Sequence, residues 1–244
     1  MSMKEDAWQS FDKTREATDQ AQLYYRQQAM CRQYAINEIL EKHEVSSALD
    51  IACGEGASTE QLLEAAQHID AVDLSQALIA KAKAKPSLDK VNFFCDDFLD
   101  FNCQSSYQLI TASWFHNQLH SDDAQIAAKQ KILGLLEDEG YCVFLVPSVT
   151  VSHARNLDFL RSQLNCEIGI LDECSKYSRW VFSLDGKNWS TLTQWNPLYL
   201  YDIYSQDFEM KFIETRKICC ENDFSVDKYL PPLFDILVGK KKSA

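Results

Sequence analysis

The sequence predicts an α/β fold in which a doubly wound, mostly parallel sheet carries an antiparallel strand at one edge. Short apolar segments of strand length alternate with helix-forming segments between residues 46 and 150, which is the pattern of a parallel sheet covered by helices. No Pro-, Gly- or Ser-rich linker interrupts the 244 residues, and one domain can fill that length. We therefore expect a single domain over residues 1–244, with three parts.

The first part, residues 1–45, predicts a helical cap. Residues 7–42 are mostly polar and helix-forming, and the apolar residues Met30, Ile36 and Leu40 recur at roughly helical spacing. We expect one broken helix followed by an amphipathic helix.

The second part, residues 46–150, predicts the core of the sheet. Helices start near Ser58 and at Ser75, Gly140 turns the chain into the last strand of this part, and Pro147 ends that strand. The predicted strands are 47–51, 68–73, 91–95, 107–112 and 141–146, and the predicted helices are 59–67, 75–85 and 124–136.

The third part, residues 151–244, predicts an aromatic lid segment and the last two strands. The stretch 177–204 is rich in tryptophan and tyrosine, and Asp185-Gly186 within it is typical of a hairpin turn. Residues 210–219 and 234–239 indicate two further strands, antiparallel at the sheet edge. They bring the expected sheet to seven strands.

The charge of the chain excludes several classes of partner. Its net charge is −12 and its sequence pI is about 4.8. The short basic clusters, at Lys81, Lys83 and Lys85 and at 240–242, are interpreted as solvated surface. Because a polyanion-binding protein needs a basic stripe to release counterions, we expect no nucleic-acid partner and no anionic membrane.

No segment of the sequence predicts a membrane span or an export signal. The longest uninterrupted apolar run, 141–146, is too short to cross a bilayer, and the residues Met-Ser-Met-Lys-Glu-Asp lack the apolar segment of a signal peptide. The nine cysteines include no Cys-x-x-Cys pair and lie mostly in apolar surroundings, as buried thiols do in a reducing compartment. We expect a cytoplasmic protein without structural zinc.

The most informative segment follows the first strand of the core and reads Asp50-Ile51-Ala52-Cys53-Gly54-Glu55-Gly56. A strand ends, small residues make a tight turn and a helix begins, and glycine lets a ligand approach the backbone because no Cβ intervenes. Asp73 ends the second strand, where a carboxylate can accept hydrogen bonds from two ribose hydroxyls. Asp97 follows the third strand, at the crevice where an adenine would lie.

At these residues the chain resembles the class I S-adenosylmethionine-dependent methyltransferases. The family's turn reads approximately Asp-x-Gly-x-Gly-x-Gly, and here Ala52 replaces the first glycine. The similarity is close over residues 45–150 and looser over 7–44 and 205–244. It implies a Rossmann-like fold, S-adenosyl-L-methionine as cofactor, and a lid on the substrate side formed within residues 151–244.

The resemblance also implies a set of cofactor-binding residues, which lie at strand ends or on the N-terminal helix. Around the methionine moiety it places Asp50, Ala52, Cys53, Gly54, Gly56, Ala112 and Trp114, with Tyr25 or Arg26 near its carboxylate. At the ribose it places Asp73, and at the adenine it places Leu74, Asp97 and Phe98.

Some of these residues have alternative interpretations. Asp50 can cap the turn, and Asp73 can hold the start of the helix at Ser75. A nicotinamide-dependent dehydrogenase is the main alternative for the whole motif, but its fingerprint needs a third glycine where this chain has Thr59. Glu55 would also lie badly beside a pyrophosphate, so the methyltransferase is favoured.

The segment after the fourth strand supplies the candidate catalytic residues. It contains His116 and His120, and in small-molecule members of the family a histidine here often faces the acceptor as a base or an orienting group. Packing is the alternative role for each histidine. Metal-dependent members carry acidic residues where this chain has Ser113 and Pro147-Ser148, so we expect no catalytic metal.

The resemblance implies methyl transfer to an O or N atom of a small-molecule metabolite or natural-product intermediate by in-line displacement. Two alternatives stay open: a protein or peptide methyltransferase, and a catalytically silent subunit that only binds the cofactor. The expected partner is a small-molecule acceptor, and the expected assembly is a monomer or a homodimer.

Overall fold

A seven-stranded sheet forms the centre of the protein. The structure is a computed structural model that describes residues 19–148, 157, 161, 166–183, 186–187, 189–221 and 234–243. The strands of this sheet are β1 (Ser47–Ile51), β2 (His68–Asp73), β3 (Asn92–Cys95), β4 (Tyr107–Ser113), β5 (Leu136–Pro147), β9 (Phe208–Ile213) and β10 (Phe234–Lys241).

The strand order is β3-β2-β1-β4-β5-β10-β9. The first five of these strands are parallel to one another, whereas β10 runs antiparallel to both β5 and β9. The predicted α/β fold with a mostly parallel, seven-stranded sheet is therefore confirmed. Since chain order reverses between β1 and β4, the carboxyl ends of these strands flank a crevice in which ligands bind in open α/β sheets.

Helices cover the sheet, and a second sheet is formed within residues 167–195. The helices are α1 (Asp19–Leu40), α2 (Thr59–Leu62), α3 (Gln76–Lys83), α4 (Asp122–Leu135), α5 (Pro197–Tyr204) and α6 (Thr215–Glu221), with short 3₁₀ turns at Pro86–Leu88 and Phe115–Gln118. The second sheet is antiparallel and contains β6 (Glu167–Glu173), β7 (Tyr177–Ser183) and β8 (Ser190–Trp195). We call this three-stranded sheet the lid sheet.

Both faces of the seven-stranded sheet are buried, as expected for parallel strands between helices. Consecutive residues of β5 point to opposite faces. Phe144 packs in a cluster with Ile132 of α4 and Tyr204 of α5, and Leu145 packs in a cluster with Ile36 of α1. Each large apolar side chain buried in this way stabilises the fold by roughly 1.5–3 kcal/mol.

The helix predicted over 59–67 is shorter than expected. It is α2, Thr59–Leu62, and Ser58 does not cap it, because Ser58 has helical dihedral angles and no capping hydrogen bond. Its hydroxyl donates to the Asp50 carboxylate instead, at 2.7 Å. The Ser58 hydroxyl therefore bonds across the turn to Asp50 and does not form the cap of α2 that the sequence predicts.

The strand predicted over 210–219 is wrong in its second half. β9 ends at Ile213, and α6 begins at Thr215, whose hydroxyl donates to the carbonyl of Phe234. Ile218 and Cys219 of α6 are buried, and Cys219 lies against Cys31 of α1. Packing against the N-terminal helix has overridden the local strand preference of these residues.

The amphipathic helix predicted before residue 42 is α1. The start of the predicted N-terminal cap, residues 1–18, lies outside the described residues, as does Asp185 of the predicted hairpin turn. Gly186 is described and has a φ of 69°, which suits the turn between β7 and β8. Across the described part of the chain, no helix is both long and apolar enough to span a membrane.

Candidate cofactor-binding site

The turn between β1 and α2 has three residues in the left-handed backbone region. Ala52 has a φ of 55°, Gly54 of 56° and Gly56 of 85°. A residue with a Cβ pays roughly 1–2 kcal/mol for this conformation, so Ala52 is a strained replacement for glycine. The amide of Cys53 donates to the carbonyl of Val72 at 3.2 Å, which fixes the turn against β2.

The two glycines of the turn face different surroundings. A Cβ on Gly54 would meet no atom within 4 Å, whereas a Cβ on Gly56 would lie 2.5 Å from Leu88 Cδ1 and 3.4 Å from Ala82 Cβ. Gly54 is half-buried and Gly56 is buried. The open side of the turn is therefore at Gly54, and packing against α3 and the 86–88 turn requires the glycine at position 56.

Asp50 makes its hydrogen bonds to side chains inside the protein. Its side chain is fully buried and accepts hydrogen bonds from the hydroxyls of Ser58 and Thr59 at 2.7 Å each, and of Thr111 at 2.9 Å. Burial raises the pKa of the Asp50 carboxyl, and these hydrogen bonds and the nearby Arg32 guanidinium lower it by less. The contacts match the turn-capping role, because they join the end of β1 to α2 and to β4.

Asp73 joins the turn to the next helix. Its Oδ2 accepts from the amide of Gly54 and its Oδ1 accepts from the amide of Ser75, both at 2.8 Å. The helix-start role is therefore present. Leu74 follows with 51% of its surface exposed, a large apolar side chain left open beside the crevice.

The residues predicted at the adenine end follow β3. Asp97 is exposed, and its Oδ1 accepts from the amide of Leu99 at 3.0 Å. Phe98 is buried, and its ring packs edge-on against Phe115 with centroids 5.3 Å apart. Phe98 thus fixes the backbone in the core, while the exposed carboxylate of Asp97 next to it can bind a ligand at the edge of the sheet.

The end of β4 and helix α1 meet at Trp114. Ala112 is buried and lies opposite Ile51 of β1, and Trp114 has a left-handed φ of 61°. The indole Nε1 of Trp114 donates to Gln28 Oε1 of α1 at 3.0 Å. The strained backbone of Trp114 is of the kind that clusters at binding sites.

Arg32 was missed by the sequence reasoning, which selected Tyr25 and Arg26 on the same helix. Arg26 is exposed and Tyr25 half-buried, whereas Arg32 has only 6% of its surface exposed. Its Nη1 donates to Ser113 Oγ at 3.0 Å, at the end of β4, and its charge reaches Asp50. The available signal was its spacing, because Arg32 lies four residues before Ile36 on the apolar face of the helix.

His116 lies in the core, and its Nε2 is buried without a hydrogen-bond partner. Its surface is 1% exposed, its Nδ1 lies 2.8 Å from Gln125 Oε1, and Gln125 Nε2 donates to its carbonyl at 3.0 Å. The rings of Phe144 and Tyr204 pack against the imidazole at 4.9 and 5.7 Å. Burial lowers the pKa of His116 to about 4, so the neutral ring serves packing near neutral pH.

His120 lies between the core and the lid sheet. It is half-buried, its Nδ1 lies 2.8 Å from Thr193 Oγ1 of β8, and its carbonyl accepts from Arg179 of β7 at 3.3 Å. The indole of Trp195 donates to the carbonyl of Leu119 at 2.7 Å. The segment after β4 therefore anchors the lid sheet, and of the two predicted histidines only His120 contacts the lid.

Within the described residues, no group of three or more His, Cys, Asp or Glu side chains is arranged to hold a metal ion. None of the eight cysteines whose side chains the structure describes forms a disulfide, and five of them are buried. The absence of a catalytic metal stays a prediction.

Comparison with protein families gives a match over residues 48–140, to a family described as a methyltransferase domain. Curated relatives include malonyl-[acyl-carrier protein] O-methyltransferases. The enzyme of Bacillus cereus is 36% identical over 75 residues, 28% of each chain, and that of Priestia megaterium is 35% identical over 94 residues, 36% of this chain and 34% of that one. The matched part spans about a third or less of the length of these relatives.

Solved structures match over much more of the chain. The sugar N-methyltransferase KedS8 from Streptoalloteichus superposes with a TM-score of 0.64 at 14% identity, covering 96% of this chain and 92% of that one. An S-adenosylmethionine-dependent methyltransferase from Clostridium acetobutylicum gives 0.61 at 18% identity, covering 88% and 92%. The N-methyltransferase NodS from Bradyrhizobium japonicum, bound to S-adenosyl-L-homocysteine, gives 0.60 at 12% identity, covering 94% and 91%.

At 12–18% identity these solved structures show a shared fold. Residues 48–140 thus match a methyltransferase domain in sequence, and the chain has the fold of the class I S-adenosylmethionine-dependent methyltransferases.

Proposed function

We propose that this protein is an S-adenosylmethionine-dependent methyltransferase that methylates an O or N atom of a small molecule. The observation that carries the proposal is the open side of the turn at Gly54. A Cβ there would meet nothing within 4 Å, and the amide of the same residue is bound by Asp73. The turn thus places backbone without a side chain next to a carboxylate. S-adenosylmethionine, a nucleoside joined to an amino-acid tail, needs both: the backbone for its tail and the carboxylate for its ribose.

The residues around this turn fit such a cofactor along its whole length. Asp73, at the end of β2 and bound to the turn, would accept from the ribose hydroxyls, and Leu74 and Asp97 would border the adenine. The Arg32 guanidinium would hold the amino-acid carboxylate, because a guanidinium presents a fork of donors that matches a carboxylate. Asp50 would not touch the cofactor but would hold the turn in the conformation that binds it.

When bound, the cofactor supplies a methyl group on a sulfonium, which an acceptor atom displaces in line. The task of the chain is to position that atom and to exclude water. The lid sheet and α5 carry side chains suited to this task in the half-buried Tyr177 and Tyr199, which pack against the fully buried Trp195 with centroids 5.2 and 5.6 Å from its ring. Such an aromatic group favours a small, partly apolar acceptor.

The charge of the protein also favours a small acceptor over a polyanionic one. With a net charge of −12, the surface repels phosphate-rich partners at long range. His120, which contacts Thr193 of the lid sheet, would orient an acceptor.

Calorimetric titration tests the proposal. Wild-type protein should bind S-adenosylmethionine and not NADH. Asp73→Ala should weaken binding at least about tenfold, because a carboxylate hydrogen bond to a ligand is worth roughly 1.5–3 kcal/mol. Asp96→Ala removes the neighbouring exposed carboxylate and should leave the affinity unchanged.

The formation of S-adenosylhomocysteine with a panel of small amines and alcohols then tests the transfer itself. Turnover with one of them is the expected result. Binding of NADH without binding of S-adenosylmethionine would contradict the proposal outright.

A further inference from the structure

The segment after β4 holds buried polar atoms without partners. Across the part of the chain that the structure describes, five buried side-chain nitrogen or oxygen atoms make no hydrogen bond. His116 Nε2 and Asn117 Oδ1 belong to this segment, and a third atom, Gln28 Nε2, lies on α1. Of these three residues, Asn117 and Gln28 hydrogen-bond to Trp114. Leaving such an atom unpaired costs roughly 1–3 kcal/mol, so native proteins rarely do so without a ligand or water to fill the place.

Asn117 is held firmly by its neighbours. Its Nδ2 donates to Gln194 Oε1 of β8 at 3.0 Å, its backbone amide donates to the carbonyl of Trp114 at 3.2 Å, and only 2% of its surface is exposed. The lid sheet therefore fixes the amide group and leaves its carbonyl oxygen buried without a hydrogen-bond partner. Asn117 lies four residues beyond the end of β4, at the crevice edge of the sheet.

Gln28 shows the complementary arrangement on the other side of Trp114. Its Oε1 accepts from the indole, its Nε2 has no partner, and 5% of its surface is exposed. An unpaired donor on α1 and an unpaired acceptor on the 115–118 turn thus flank one residue. The donor lies one helical turn from Arg32, whereas the acceptor lies next to the lid sheet.

We infer that Asn117 Oδ1 accepts a hydrogen bond from the acceptor group that receives the methyl, and so acts as a positioning residue; this inference rests on the proposed function. A neutral amide can orient an N–H but cannot remove a proton. The substrate class that fits is a small neutral amine. Its lone pair forms the new N–C bond while the C–S electrons stay on sulfur, and the resulting ammonium releases its proton to water.

Sinefungin tests this without knowledge of the substrate. In sinefungin a carbon bearing an amino group replaces the methylsulfonium, so its N–H groups lie where the methyl and its acceptor meet, and S-adenosylhomocysteine lacks them. The dissociation constant of each ligand is measured by calorimetry. Asn117→Ala should weaken sinefungin about tenfold or more, since this bond has a charged donor, and should change S-adenosylhomocysteine less than about twofold.

Two further variants control the result. Asn37→Ala removes an exposed asparagine of α1 and should change neither constant. Asn117→Asp keeps the side-chain volume and an acceptor oxygen, Gln194 can turn its amide to donate to it, and sinefungin should bind at least as tightly as to wild type. This variant also covers the case in which Asn117→Ala does not fold.

The outcomes separate the two proposals. Equal weakening of both ligands, or no change in either, would overturn the role of Asn117 while leaving the cofactor site intact. If wild type binds neither ligand, the proposed function itself is wrong.

Discussion

At the scale of single residues, buried charge and buried imidazole set the response of the fold to pH. His116 has a pKa of about 4 in the folded protein because burial disfavours its charged form, and an unfolded histidine titrates near 6.5. The unfolded chain therefore binds more protons between these values. This contribution to stability is complete above the unfolded pKa and is lost as the pH falls towards the folded one.

Replacing His116 should remove this pH dependence. Between roughly pH 7.5 and pH 5 the wild type should lose about 2 kcal/mol of unfolding free energy through His116. His116→Asn should be less stable at neutral pH but should lack this loss. Urea unfolding at both pH values measures how much unfolding free energy each protein loses. Asp50 contributes with the opposite sign, but equally in both proteins, and so cancels when the two losses are compared. Equal losses in both proteins would show that His116 titrates normally.

The two glycines of the turn allow packing and binding to be separated. Gly54→Ala should cost roughly 1–2 kcal/mol of stability, from left-handed backbone strain alone, and should weaken S-adenosylmethionine binding at least about tenfold by adding a methyl group to the open side. Gly56→Ala adds a contact at 2.5 Å and should cost a further 1–3 kcal/mol or so. Urea unfolding and calorimetry check both. If Gly54→Ala binds the cofactor normally, the open side is not the binding side.

Arg32 and Arg26 lie on the same helix, and so Arg26 can serve as the control for a substitution at Arg32. Arg32→Met keeps much of the buried length but removes the guanidinium, and should weaken S-adenosylmethionine binding by about tenfold or more. Arg26→Met alters an exposed residue and should change it less than about twofold. The dissociation constants are measured by calorimetry, with circular dichroism to confirm folding. The reverse order of effects would restore Arg26 as the carboxylate ligand.

At the scale of elements, the lid sheet depends on its contacts with the segment after β4. The indole of Trp195 is fully buried and donates to the carbonyl of Leu119, between its aromatic neighbours Tyr177 and Tyr199. Side chains of β8 also contact Asn117 and His120. The lid sheet is therefore tied to β4, whose end also borders the cofactor site.

Trp195→Phe should loosen this attachment. The ring volume is largely kept, but the carbonyl of Leu119 loses its donor, and a loss of roughly 1–3 kcal/mol in unfolding free energy is expected. Trp189→Phe, at a residue with 48% of its surface exposed, should have almost no effect. Urea unfolding compares the two variants. The affinity for S-adenosylmethionine should stay within about twofold of wild type, since neither tryptophan lies at the β1 turn.

At the scale of the whole molecule, the sheet brings together residues that are far apart in the chain. The turn after β1, the ends of β2 and β4, and helix α1 meet at one crevice because β1 pairs with both β2 and β4. α1 crosses to the same edge through Gln28 and Arg32. Charge acts at this scale too, since the net charge of −12 disfavours polyanionic partners whatever the crevice binds.

The sequence by itself determined the sheet and the turn at which we propose the cofactor site. Period-two and period-3.6 patterns located the five core strands and most helices, and the turn from Asp50 to Gly56 has the backbone that its glycines predict. These features depend on neighbours along the chain, so local chemistry is enough to specify them. The mostly parallel fold followed from the alternation of strands and helices.

Only the tertiary structure decided which side chains face the crevice. His116 is buried in the core, Arg32 rather than Arg26 is buried and hydrogen-bonds to the end of β4, a Cβ on Gly54 would be free of contacts whereas one on Gly56 would not, and residues 215–219 form a helix. Each depends on partners more than 25 residues away, such as Phe144 for His116 and Ser113 for Arg32. Burial and pairing across the sheet are properties of the folded surface, and a local pattern of residues does not encode them.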